Sequence, residues 1–157
     1  MLRLRAPLYR ESYDHDLVVF HQEAHRQLQN MHDTAIAKPG NRTDIFGALD
    51  VAQEEIESTA KGEPRSVNMI VMSDFLEDDD TWKFVADTHL VDPAAARSLA
   101  EQLAKEQPPW KEPVNASLVM VESKDLTKVS RKRQQAVVAF WKAYFFGCFR
   151  RPPKVRN

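Results

Sequence analysis

Two short apolar runs place the tightest limit on the fold of this chain. Val67–Ser73 and residues 116–121 are too short for helices, and their nearly continuous apolar character is typical of strands covered on both faces of a parallel sheet. Parallel strands need a long crossover connection, usually a helix. We therefore expect the runs to be neighbouring parallel strands, with a loop starting at Asp74 at their carboxyl ends.

Helical patterns lie around these runs. The spacing of apolar residues and the positions of proline and glycine predict four helices, over about 14–33, 43–59, 93–107 and 130–149. Asp14 or Asp16 is the expected N-cap of the first, and Asp92 that of the third. Residues 2–8 indicate an edge strand and residues 38–41 a turn. The pattern predicts an α/β fold with a Rossmann-like open, mostly parallel sheet flanked by helices.

Size and composition favour one domain, and the sequence ends in a basic tail at 150–157. The single cysteine, Cys148, excludes an intrachain disulfide, and its apolar neighbours predict an inert thiol with a raised pKa. No apolar stretch reaches the roughly 18–20 residues that span a bilayer. The first residues lack the apolar run of a signal peptide, so we expect a cytoplasmic protein if the sequence is complete.

Charge is distributed unevenly along the chain. Residues 44–92 contain thirteen acidic and three basic residues, whereas residues 124–157 contain ten basic residues and one acid. Such asymmetry indicates either separate binding faces or simply solvated surface. The aromatic helix at 130–149, flanked by arginines and lysines, could contact a membrane as an interfacial anchor. We favour a closing helix packed on the sheet, and we expect no nucleic-acid partner.

Two polar pairs lie where a parallel sheet usually binds ligands, at the carboxyl ends of its strands. Thr43-Asp44 begins the second helix, and Ser73-Asp74 ends the first buried run. Hydroxyl and carboxylate oxygens are the ligands that a hard divalent cation prefers. Without a cation, Thr43 would cap a helix and Asp74 would start a turn.

These pairs, in this order and with a helix between them, resemble the later part of a von Willebrand factor type A domain. That family binds Mg²⁺ or Mn²⁺ with an Asp-x-Ser-x-Ser motif, a threonine from a second loop and an aspartate from a third. The resemblance implies Thr43 and Asp74 as metal ligands, with Ser73 in support. It also implies a protein partner on the same face, in contact with the residues Asp44, Phe75, Glu77 and Asp78.

The sequence departs from the family at its front end. It contains no Asp-x-Ser-x-Ser, and Phe75 stands where many members have glycine. The resemblance covers residues 1–149 and implies an N-terminally truncated domain, the last two-thirds of a family member. Mg²⁺ or Mn²⁺ binding by the isolated chain is then expected to be weak or absent. The resemblance also implies an exposed edge on the strand Val67–Ser73, which either pairs with residues 2–8 or promotes self-association.

The leading functional hypothesis is a protein-binding module, not an enzyme. It would use a cation only when the missing N-terminal segment, with its Asp-x-Ser-x-Ser motif, is supplied. One alternative is a small metal-dependent hydrolase or phosphotransferase using Asp74 and the acidic loop. Another is a structural remnant without a ligand site. A zinc site at His21, His25 and His32 is disfavoured, because the glutamate of a zinc-protease helix directly follows its first histidine and Glu23 does not.

Overall fold

The computed structural model describes residues 10–37, 42–59 and 67–156. The helices are α1 (Arg10–Ala37), α2 (Ile45–Thr59), α3 (Pro93–Glu106), α4 (Lys124–Lys128) and α5 (Arg131–Phe149), with a short 3-10 helix at Thr88–Leu90; the strands are β1 (Val67–Ser73), β2 (Val114–Met120) and β3 (Lys154–Arg156). The expected edge strand at 2–8 and the turn at 38–41 lie outside the described residues.

The three described strands form one parallel sheet in the order β1-β2-β3. β1 and β2 pair along their whole length, from Val67 opposite Val114 to Ser73 opposite Met120. The prediction of two neighbouring parallel strands is therefore confirmed, and the chain has a general α/β fold. β3 lies within the expected basic tail and pairs with β2 through three residues.

The prediction that β1 is covered on both faces is wrong. Its side chains alternate between half-buried and exposed, and Ile70 and Met72 are 67% and 61% exposed. Val67, Met69 and Val71, on the other face, pack against the core. Apolar character alone predicts that a strand can be buried, but the second face is buried only where another element covers it.

The core lies between the sheet and α5, which contributes seven buried residues. α3 packs closely on α5 at small residues: a Cβ added to Gly147 would lie 2.5 Å from the Cβ of Ala104. The aromatic side chains of α5, including Trp141 and Phe145, are buried in this core. The C-terminal helix is thus packed, as expected. In the part of the chain that the structure describes, no helix has the length and apolarity needed to cross a membrane.

Capping residues set the helix starts in residues 42–157, which form one compact unit. Asp92 accepts hydrogen bonds from the backbone N–H groups of Ala94 and Ala95, both at 2.9 Å, which confirms the predicted N-cap of α3. The first 41 residues form a second unit that contains α1. Because α1 already includes Asp14 and Asp16, neither residue caps its start, contrary to the prediction.

Candidate functional site

The chain turns sharply where β1 ends. Ser73 Oγ accepts the backbone N–H of Phe75 at 3.0 Å, and Asp74 Oδ1 accepts that of Leu76 at 3.0 Å. Phe75 has φ of 59°, in the left-handed region that glycine adopts without strain. Its side chain is only 2% exposed, and its carbonyl accepts the indole N–H of Trp141 at 2.9 Å. Burial of the aromatic ring therefore holds a strained turn in place.

Glu77 anchors the loop after β1 to the start of α2. Its carboxylate accepts the N–H of Ile45, at 2.9 Å to Oε2 and 3.2 Å to Oε1. The side chain is fully buried, although the sequence suggested a solvated acidic loop. Burial, with a smaller contribution from the charges of Asp79 and Asp44, raises the pKa of Glu77 to about 7, against the lowering effect of its backbone hydrogen bonds.

Thr43 contacts this loop through its main chain. Its carbonyl accepts the N–H of Asp78 at 2.8 Å, within an antiparallel bridge between the two residues. The second-helix start and the loop after β1 are therefore adjacent, as a shared site requires. Ser73 and Asp74 lie at the carboxyl end of β1, and both side chains accept backbone N–H groups of the turn.

Three carboxylates converge at the start of α2. One oxygen each from Asp44, Glu77 and Asp79 lies within 4.8 Å of the others. Such oxygens could ligate a hard cation. Each group, however, accepts backbone N–H bonds: Asp44 from Gly47 at 2.6 Å, Glu77 from Ile45, and Asp79 from Thr81 at 2.6 Å. Asp44 is thus the N-cap of α2, Glu77 accepts a second N–H group at the same helix start, and Asp79 stabilises a turn.

The residues expected to meet a partner fall into two groups. Asp44 is exposed and Asp78 is partly exposed, so both are accessible. Phe75 and Glu77 lie in the protein interior in this conformation. Asp78 forms an ion pair with Lys83 at 2.5 Å, and Asp80 pairs with Arg42. These cations reduce the negative charge of the loop.

The outer edge of β1, on the side away from β2, is the edge that the resemblance led us to expect to be exposed. Val67 donates to Pro113 and Ser73 accepts from Val121, each at 2.9 Å, so these residues direct their main-chain groups toward β2. Because successive residues of a strand point in opposite directions, Asn68, Ile70 and Met72 direct theirs toward the outer edge. Among the described residues, no strand pairs with that edge.

The remaining candidate side chains lie elsewhere. His21 and His25 are exposed on α1, and among the described residues neither lies in a cluster of three or more metal-ligating groups. Cys148 is partly buried on α5, and burial raises the pKa of its thiol to about 11, as the apolar neighbours predicted. This thiol is therefore protonated and unreactive at neutral pH.

The fold and site define an α/β protein with a short parallel sheet, a capped loop at its carboxyl end and an edge of β1 with which no described strand pairs. No family model, curated protein or solved structure matches this chain.

Proposed function

We propose that this chain is a protein-binding module that takes up an extended strand of a partner along the outer edge of β1. The observation that supports the proposal is that none of the strands described in the structure pairs with this edge, together with the exposed apolar face beside it. Addition of a strand to an open sheet edge is a common mode of peptide recognition: main-chain hydrogen bonds give affinity, and alternate side chains give specificity.

The composition of β1 fits this role. Natural proteins protect free edges with charged residues, proline or bulges, because a bare edge pairs with other chains. The seven residues of β1 include no charge and no proline. Ile70 and Met72 stand on the open face, where they would pack against side chains of an added strand. Exposure of the apolar side chains of such an edge to water is unfavourable, and a partner strand would cover them while it pairs with the main-chain groups.

The carboxyl end of β1 supports a second element of the proposal, a von Willebrand factor type A-like use of a cation. A strand added parallel to β1 would end beside Ser73 and Asp74, and the Thr43 segment bridges the loop that follows these residues. If that strand carried Asp-x-Ser-x-Ser, its oxygens would complete a site for Mg²⁺ or Mn²⁺ with Thr43 and Asp74. These residues supply too few ligands alone for a cation that dehydrates reluctantly.

Calorimetric titration with two synthetic peptides tests the proposal. In the first peptide a run of Val and Ile precedes Asp-Gly-Ser-Gly-Ser, and in the second Ala replaces the Asp and both Ser. We expect both peptides to bind the full chain, and Mg²⁺ to strengthen only the first by about tenfold, equal to about 1.4 kcal/mol. Asp74→Asn should remove the Mg²⁺ effect and preserve binding of the peptide.

Matched variants separate strand addition from general hydrophobic adsorption. Ile70→Lys places a charge on the open face of β1, whereas Val51→Lys places one at an equally exposed apolar position of α2, 66% against 67%. We expect Ile70→Lys to weaken both peptides by about tenfold or more and Val51→Lys to have no effect. Equal weakening by the two variants, or no binding of either peptide to the unmodified chain, would contradict strand addition.

A further inference from the structure

A groove lies between α3, α5 and the two prolines that precede β3. It has a volume of about 630 Å³ and opens to solvent. Four apolar residues of α5 line it, Val138, Ala139, Ala143 and Phe146, and the side chain of Phe146 is 52% exposed. A half-exposed aromatic ring beside other apolar residues in a concave surface is a typical anchoring point for a binding partner.

The shape of the groove indicates the form of its occupant. The lining residues of α5 recur at spacings of three and four from Gln135 to Phe146, a stripe about 17 Å long, or about three helical turns. Pro93, Arg97 and Glu101 recur every four residues and form the wall on the α3 side. An amphipathic helix lays its own apolar stripe into a groove of this kind, whereas a bilayer presents a flat surface. The groove therefore fits a helix better than a membrane.

The charged residues of the groove indicate the charge of that helix. Arg97 of α3 and Lys142 of α5 line it, and both are exposed. Glu101 is the single acid among the lining residues. Within the described part of the chain, neither Arg97 nor Lys142 forms an ion pair. Both cations are therefore available to carboxylates of a partner.

The positive charge continues beyond the lining residues. Arg131 lies one helical turn before Gln135, and Arg150 lies one turn after Phe146, so cations stand at both ends of the stripe. Residues 131–154 include seven lysines and arginines and no acid. The chain as a whole has a net charge of −1. An attraction for acidic ligands would therefore come from this surface and not from the charge of the whole protein.

We propose that the groove binds an acidic amphipathic helix of a partner protein. The apolar stripe of that helix packs against Phe146 and Ala143, and carboxylates on its flanks lie beside Arg97 and Lys142. No residue of β1 lines the groove, so this surface is separate from the strand edge. The two surfaces can be occupied independently, and the chain then connects two partner segments.

Fluorescence anisotropy of the full chain with two labelled peptides of about twelve residues, or about three helical turns, tests this proposal. In the acidic peptide Leu recurs at spacings of three and four and Glu fills most other positions; in its basic twin Lys replaces every Glu. We expect the acidic peptide to bind about tenfold or more tightly than the basic twin. Phe146→Ala should weaken the acidic peptide by about tenfold, whereas Val51→Ala, at an exposed apolar position of α2, should not.

Two double variants with the same change in net charge test the charges of the groove. Arg97→Glu with Lys142→Glu should weaken the acidic peptide by about tenfold and strengthen the basic twin. Lys105→Glu with Lys124→Glu alters two exposed lysines that do not line the groove and should change neither affinity. Far-ultraviolet circular dichroism of each variant establishes that the helices remain folded.

The outcomes that would overturn the proposal are distinct. Equal binding of the two peptides, or equal weakening by the two double variants, would exclude recognition by the groove. Loss of peptide binding in Ile70→Lys but not in Phe146→Ala would place the peptide on β1 instead. Binding to phosphatidylserine vesicles that depends on Arg97 and Lys142, without binding of the acidic peptide, would assign this surface to a membrane.

Discussion

The replacement of Glu77 by glutamine should make the stability of this protein less dependent on pH. The side chain is fully buried, and both of its oxygens face the N–H of Ile45. Glutamine has nearly the same shape, and its amide oxygen can still accept that N–H. The substitution therefore removes a titrating charge while it preserves the volume and one hydrogen bond.

The magnitude follows from the pKa. Burial raises the pKa of Glu77 from its ordinary 4.5 to about 7, so the folded protein holds this proton more tightly than the unfolded chain does. The contribution of Glu77 to the free energy of unfolding is therefore greatest below pH 4.5. It declines as the pH rises from 4.5 through about 7. At about 1.4 kcal/mol per pH unit, the decline amounts to about 3 kcal/mol. The Glu77→Gln variant should not show this decline in stability.

Urea unfolding followed by tryptophan fluorescence measures this difference, since all three tryptophans lie in the unit of residues 42–157. At about pH 5 the variant and the unmodified chain should agree within about 1 kcal/mol, and at about pH 8 Glu77→Gln should be more stable by about 2–3 kcal/mol. Because all other titrating groups are shared, their contributions largely cancel. Parallel stability profiles over this range would refute a buried, proton-binding Glu77.

Three further outcomes follow from the structure. Asp92→Ala removes the acceptor for two backbone N–H groups at the start of α3 and should lower the free energy of unfolding by about 1 kcal/mol in urea titrations. Cys148, whose thiol pKa is raised to about 11, should react with iodoacetamide at neutral pH far more slowly in the folded than in the urea-unfolded chain. Calorimetry with Mg²⁺ on the chain without peptide should show no binding tighter than millimolar, and micromolar binding abolished by Asp74→Ala would contradict this.

The elements that could be predicted are those whose sequence signals lie within the element or directly beside it. β1 was expected at Val67–Ser73 and is found there, because a short apolar run between turn residues has few alternatives. α3 begins after Asp92 as expected, since an aspartate before a proline is a strong start signal. β3 has only three residues, too few for any periodicity, and its pairing with β2 depends on contacts distant in sequence.

The candidate site was less predictable, because burial depends on the whole fold. Glu77 belongs to an acidic run, which predicts a solvated loop, yet the loop folds this one carboxylate onto the start of α2. Phe75 is held in a left-handed conformation by the burial of its ring, a tertiary effect with no local signature. The exposed face of β1 was not predicted. Its residues Ile70 and Met72 are apolar, and the sequence pattern is therefore that of a strand with two covered faces.

Amide hydrogen exchange by nuclear magnetic resonance tests the open edge of β1 most directly. The amides of Asn68, Ile70 and Met72 face the outer edge, whereas those of Met69 and Val71 face β2. In the free chain at low concentration we expect the first group to exchange rapidly and the second to be protected. On addition of the Val- and Ile-rich peptide, the first group should become protected as well. Equal protection of Ile70 and Val71 in the free chain would show that the edge is already paired and would contradict the proposed binding mode.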